Sequence, residues 1–261
     1  MSPIRQLAKA IFAAADVFLP SPRGPRILIY HQVGAGLGRQ MEVTTEDFVW
    51  QLDWLAQNRH VVGLDEALER WEEEGSENLV VLTFDDGYRD VHTTAFPLLK
   101  ERGMPFTLYL ATRAIETGNG HPGAEPLKWG QIEEMIASGL VTIGSHTHNH
   151  ADLRALSTDE IVREIETSNE LIESHFGLIP IHFAYPWGYW SVEADSIIRH
   201  HFRSAALGSH SVGRIRGSDP FQMHRVPIQL NDGTMWFSSR IRGGLLAEEA
   251  LRRILRGYRG P

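Results

Sequence analysis

The chain has 261 residues, 42% of them apolar and 22% charged, with a formal net charge of -8 and no cysteine. That length allows one large domain or two small ones, since a single core grows to roughly 250 residues before splitting, and the mixture is globular, not disordered or fibrous. The charge argues against nucleic-acid and anionic-membrane partners, and the lack of cysteine excludes disulfide scaffolds, thiol nucleophiles and cysteine-held metals.

Residues 4 to 19 read as a short amphipathic helix, followed by a linker with Pro20, Pro22, Gly24 and Pro25. Residues 1–25 are therefore set apart from a catalytic domain expected over 26–240, with a helical, basic-ended extension over 241–261. Arg5 and Lys9 precede the first apolar run, but Asp16 interrupts it and no small-residue cleavage site follows. No segment approaches the roughly 18 uncharged apolar residues of a spanning helix. These features favour the cytoplasm; an extracellular polymer substrate would point the other way, and peripheral membrane association and non-classical export stay open.

RILIYH, ending at His31, reads as a strand, and Gly34, Gly36 and Gly38 form the loop after it. TTEDFVWQLDWLAQN reads as a helix capped by Thr44 or Thr45, with Phe48, Leu52 and Leu55 on one face, and Asp65 is expected to cap a second helix through Trp71. LVVLTF, PFTLYLA, VTIG and IPIHFAY then alternate as strands with helices after Tyr88, around IEEMIA, from Ser157 and around VEADSII. Ser157 and Glu160 form a capping box, and RSAAL and RVPIQL add two extended pieces. About seven strands alternating with helices predict an α/β fold with a parallel sheet covered on both faces, as a barrel or a doubly wound sheet. Either form places TFDDG, GSHTHNH and FAYPWG just after strands, where such folds build their sites.

Within GSHTHNHADL, His146 and His150 are four apart, so one helical turn would point both rings at one ion while His148 points away. A third ligand is needed, and Asp85 or Asp86, at the end of another strand, supplies an oxygen. One aspartate then serves the ion and the other takes a proton from the water that the ion activates. Adjacent acids on a plain strand face opposite ways, so a turn has to begin at this pair, and Gly87 permits it.

TFDDGYRD, SHTHNH and FAYPWG resemble the three motifs of the polysaccharide deacetylase family, also called the NodB homology domain or carbohydrate esterase family 4. ILIYHQV resembles the first strand of the branch acting on poly-N-acetylglucosamine, which also carries FAYPxG as its third motif. The resemblance implies a distorted (β/α) barrel and a divalent metal, commonly Zn2+, with Co2+, Mn2+ or Ni2+ as alternatives. It assigns Asp85 as the base and Asp86, His146 and His150 as ligands. The implied reaction is removal of an N-acetyl group from an amino sugar in a glycan. The alternatives are an O-acetyl esterase or small-molecule amidase with the same centre, or an inactive carbohydrate-binding scaffold.

The acid that protonates the leaving amine is His31 or, as the alternative, His224. Many relatives have arginine where this chain has Ala184, and Arg225 is the candidate to hold Asp85 instead. Tyr185, Trp187 and Tyr189 are candidate sugar-binding rings or pocket walls. Arg89 and Asp90 can brace the first motif, and the loop 113 to 128, with Gly118, Gly120, His121 and Pro122, forms a groove wall or lid. The expected partner is a glycan or acetylated amino sugar; the oligomeric state is not legible.

Overall fold

The structure, a computed structural model, describes residues 24–120, 123–208, 219–230 and 232–242. The helix expected over 4 to 19 lies outside the described residues, as do residues 243 onward of the C-terminal extension and the pair His121 and Pro122.

Strand β1 (Arg26–Tyr30) is followed by the short pair β2 (Gln32–Val33) and β3 (Glu42–Val43), helix α1 (Thr45–Asn58), β4 (His60–Val61) and α2 (Leu64–Glu69). Thr44 caps α1 by accepting from Asp47 N–H, and Phe48, Leu52 and Leu55 are the buried face. The cap of α2 is Gly63, so Asp65 lies inside the first turn and the helix stops short of Trp71. Next come β5 (Leu79–Phe84), α3 (Phe96–Glu101), β6 (Phe106–Leu110), α4 (Thr112–Thr117), α5 (Trp129–Ala137) and β7 (Val141–Ser145). The chain continues through α6 (Thr158–Phe176), β8 (His182–Ala184), α7 (Val192–His201), β9 (Ser204–Ala206), β10 (Arg225–Pro227) and α8 (Gly233–Ile241). The Ser157–Glu160 capping box opens α6, as its sequence predicts.

All pairings in the main sheet are parallel, in the order β10-β1-β5-β6-β7-β8-β9, with β4 beside the start of β5. The open edges meet through one segment: Met223 bridges to Ala206 of β9, and two residues later β10 pairs with β1. The result is a nearly closed, distorted seven-stranded barrel wrapped by helices. Among the described residues no helix is long and apolar enough to cross a membrane.

The two-residue period of the strands divides each into an inner and an outer row. Val80, Leu82 and Phe84 of β5 and Phe106, Leu108 and Leu110 of β6 join Phe48, Leu52 and Leu55 in the layer between sheet and helices. Leu79, Val81, Tyr109, Ala184, Ala206 and Met223 form a second cluster inside the barrel, beneath the carboxyl ends of the strands.

Candidate metal centre

Alternation carries the functional side chains inward. On β5 the inner row Leu79, Val81 and Thr83 continues into Asp85, which is buried and whose N–H still bonds Tyr30 O at 3.0 Å. Asp86 then leaves the strand conformation at φ 70°, followed by Gly87 at φ 78°. This turn resolves the problem of two adjacent acids, because a residue with left-handed backbone no longer points opposite its neighbour. On β7, Ser145 faces outward to Ser168 of α6, so His146 faces inward.

Asp86, His146 and His150 each offer one ligand atom, and these atoms lie within 4.8 Å of one another. Asp86 Oδ1 is 3.5 Å from His146 Nε2 and 3.3 Å from His150 Nε2, and this buried oxygen has no hydrogen-bond partner. His146 Nδ1 faces Ala184 O at 2.7 Å, which makes Nδ1 the donor and leaves Nε2 as a lone-pair ligand. An orphaned carboxylate oxygen converging with two imidazole nitrogens, without sulfur, fits a divalent cation with positions left for solvent or substrate. The loop differs from the helical turn expected over 146–150: Thr147 (φ 67°) and His150 (φ 55°) are left-handed, and these two reversals bring the rings to a centroid distance of 4.8 Å. Trp187 (φ 60°) is also left-handed, so the strained non-glycine backbone gathers around this centre.

Asp85 is held from the opposite wall. Arg225 of β10 donates to Asp85 Oδ1 at 2.6 Å and Oδ2 at 2.7 Å, and also to Thr83 Oγ1 at 3.2 Å and Leu207 O at 3.0 Å. Ala184 is buried within the barrel and contributes only its carbonyl to this region, so the guanidinium comes from the strand that closes the barrel. Burial opposes ionisation of Asp85, but the Arg225 charge, the His146 field, the Arg225 hydrogen bonds and the His31 field outweigh it and hold the carboxyl below its usual range. Burial likewise opposes ionisation of Asp86, and the adjoining His146 imidazole with the fields of His31 and His150 outweighs it and holds this carboxyl well below its usual range. His146 is pushed up despite burial, chiefly by Asp85 and Asp86.

His31 follows Ile27 and Ile29 on the inner row of β1, is half-buried and acts on both carboxyls electrostatically. Its Nδ1 is enclosed without a hydrogen-bond partner. Asp90 anchors the segment just after it, accepting from Val33 N–H at 2.9 Å and Gln32 Nε2 at 3.4 Å. Burial raises Asp90 to about 6 against these two bonds. Asp90 therefore braces the strand end that carries His31; Arg89 instead pairs with the exposed Glu125.

Three expected site residues fall elsewhere. Met223 and Arg225 face the barrel interior, so alternation sends His224 to the other side, away from Asp85. Tyr185 follows inward-facing Ala184 and so points outward, buried beside Phe183, with its hydroxyl bonded to Asp195 of α7 at 3.3 Å. It is a core residue and not a pocket wall. Tyr189 has the Arg154 guanidinium 3.6 Å from its ring centroid, so a cation already covers one face. Trp187, by contrast, is 55% exposed and lies edge-on to His150 at 4.9 Å.

A cavity of about 340 Å³ opens on the centre, lined by Asp86, Tyr88, Arg113, Asn149, His150 and Trp187 among others. Ala114, Asn119, Gly120 and Pro126 place much of the 113 to 128 segment on its wall, in keeping with the groove wall expected there. Nothing local singles out Arg113 or Asn149: an exposed arginine in a short helix and a loop asparagine are ordinary until the fold brings them to the cavity.

A family model described as polysaccharide deacetylase matches residues 72–202. The chain is 27% identical over 205 residues to YxkH of Bacillus subtilis, covering 77% of this chain and 70% of that protein. It is 29% identical over 164 residues to the poly-beta-1,6-N-acetyl-D-glucosamine N-deacetylase of Staphylococcus epidermidis, covering 58% of this chain and 55% of that one, so it spans about half the length of the staphylococcal enzyme. Among solved structures, IcaB from Ammonifex degensii superposes with a TM-score of 0.72 at 27% identity, covering 85% of this chain and 98% of the other.

Proposed function

Because the chain belongs to the polysaccharide deacetylase family, we propose that it is a metal-dependent hydrolase that removes the N-acetyl group from an N-acetylhexosamine within a glycan. The observation that carries this reading is the convergence of Asp86, His146 and His150 beside an Asp85 that Arg225 holds through both oxygens. The YH of the first strand, the FAYPWG turn and the staphylococcal similarity support the branch acting on poly-N-acetylglucosamine.

Asp86, His146 and His150 would hold a divalent cation, with zinc the best match to a two-histidine, one-carboxylate set, and the cation supplies Lewis acidity toward the acetyl carbonyl and a lowered pKa for water. Asp85 is ionised and takes the proton from the attacking water as its oxygen bonds to the carbonyl carbon. Arg225 occupies one lone pair on each Asp85 oxygen, fixing the carboxylate plane and leaving the remaining lone pairs for that proton. His31 gives the amine nitrogen a proton from Nε2, the ring nitrogen that is not enclosed, so that the C–N bond breaks to a neutral amine and acetic acid, which then loses its proton to solvent as acetate. Trp187 offers an exposed ring beside His150 for a sugar face.

Acetate release from β-1,6-linked N-acetylglucosamine oligomers, chitooligosaccharides and acetylxylan, each with zinc and with chelator, tests the proposal. Release from the N-acetylated oligomers that chelation abolishes and zinc restores is expected. Equal release by the chelated protein, or release from acetylxylan alone, would overturn it.

A further inference from the structure

The cavity beside the centre carries one full cationic side chain, Arg113, in a chain whose net charge is -8. Its side-chain hydrogen bond goes to a neutral partner, Asn149 Oδ1, at 2.7 Å, and among the described residues no acidic side chain pairs with it. The arrangement is held in place: Asn149 is clamped by Glu164 of α6 through its backbone N–H, at 2.8 Å, and its side-chain amide, while Arg113 N–H bonds His148 O at 2.9 Å. Arg113 is thus tied by backbone and side chain to the loop carrying His146 and His150, and the rest of its guanidinium fork remains available to a ligand.

Charge balance around the cavity runs the same way. Asp85 is neutralised by Arg225, and Glu164 directs both oxygens to Asn149. With a dication in place, Asp86 is the one acid among the described lining residues to set against that ion and Arg113, so the mouth is positive. An acetamide on a neutral sugar has no use for a second cation, whereas a substrate with its own negative charge does.

We propose that Arg113 is a specificity-determining residue that selects anionic glycans, in which the acetylated amino sugar carries or adjoins a carboxylate or phosphate group. This rests on the deacetylase reading above. A planar guanidinium takes either anion through paired N–H donors, so the two sources share one recognition chemistry.

The test compares kcat and KM for acetate release, in the zinc-loaded protein, from three oligosaccharide sets of equal length: neutral N-acetylglucosamine oligomers, oligomers alternating with glucuronate, and oligomers bearing phosphate. The wild type should favour a charged set by about tenfold in kcat/KM, the scale of a hydrogen bond to a charged group. Arg113→Gln should remove most of that preference by raising KM for charged oligomers, and Arg113→Lys should keep part of it. Calorimetric titration with an unacetylated glucuronate oligosaccharide gives a readout independent of turnover: the wild type should bind it more tightly than Arg113→Gln, and less tightly as salt rises. Turnover without charge preference, or Arg113→Gln lowering kcat/KM equally on all three sets, would overturn the anion proposal and leave the deacetylase reading standing. Absence of acetate from every set would overturn that reading and this one with it.

Discussion

Replacing Arg225 with Met tests the arrangement around Asp85 most directly. The substitution removes bonds to Asp85 Oδ1, Asp85 Oδ2, Thr83 Oγ1 and Leu207 O, all in a region closed to water, and leaves Asp85 buried without its counter-charge. Breaking one side of a buried ion pair costs about 3–5 kcal/mol, which at about 2–4 °C per kcal/mol for a chain of this size lowers Tm by about 6–20 °C. The pH dependence should also weaken. In the wild type the folded pKa of Asp85 lies below its ordinary value of 3.8, so its contribution to stability is present above that pH and is lost as pH falls through the folded value. Removing Arg225 takes away the strongest influence holding the pKa down, so the folded value moves upward against the His146 and His31 fields that remain, and the stability this carboxyl contributes above pH 3.8 shrinks. Calorimetric melts of both proteins from pH 3 to pH 8 would show the gap widening with pH, and the acid limb of the acetate-release profile should move upward in the variant. Adding Asp85→Asn to Arg225→Met should recover part of the lost stability, because no buried charge then remains. A variant melting within about 2 °C of the wild type, with the same acid limb, would refute the view that Arg225 sets the state of the base.

Asp85→Asn alone should retain zinc in a titration yet lose turnover by about 10²–10⁴-fold, the range associated with a general base. His150→Ala should weaken zinc binding and activity together, and full occupancy at stoichiometric zinc would remove it from the ligand set. Asp90→Asn should be more stable than the wild type above about pH 6 and equal to it below 3.8, because an acid raised by burial to about 6 penalises the fold only once ionised; melts at the two extremes check this. Gly144→Ala should cost about 1–3 kcal/mol or more as overpacking, since the new methyl would lie against the Tyr109 ring and 3.0 Å from His182 O; chemical denaturation measures the loss.

Much of this organisation was legible because apolar runs of strand length end directly on chemistry-bearing residues. LVVLTF ends at Asp85 and VTIG leads into His146, and the barrel puts both at one end. The pairing of Arg225 with Asp85 followed from a missing charge at Ala184 and a cation on a later strand, although the sequence could not show that the fork would bind both oxygens. Tyr185 misled because an aromatic residue in a site motif suggests a wall, whereas its parity with Phe183 assigns it to the outer layer. The turn after His146 misled in another way: an i, i+4 pair suggests a helix, but two left-handed residues perform the same convergence. Strands β2, β3 and β4 are two residues each, too short to show any period, and only tertiary pairing defines them. The π-helical turn over Val91–Ala95 has no local signature either. Asp90 was read as a brace from its place in the first motif, but its partners on the strand after His31 are distant in sequence and appear only in the fold.

The way the barrel closes gives its assembly a direction. The three cation-seeking side chains reside on β5 and the loop after β7, which are synthesised well before the segment from Met223 to Pro227 seals the cylinder. A nascent chain that has docked its first seven strands would already hold all three of the candidate ligands, yet the carboxylate proposed as the base still lacks the guanidinium arriving 140 residues later. Metal loading and catalytic competence should therefore be separable milestones of biogenesis, with the last strand acting as the licence for turnover.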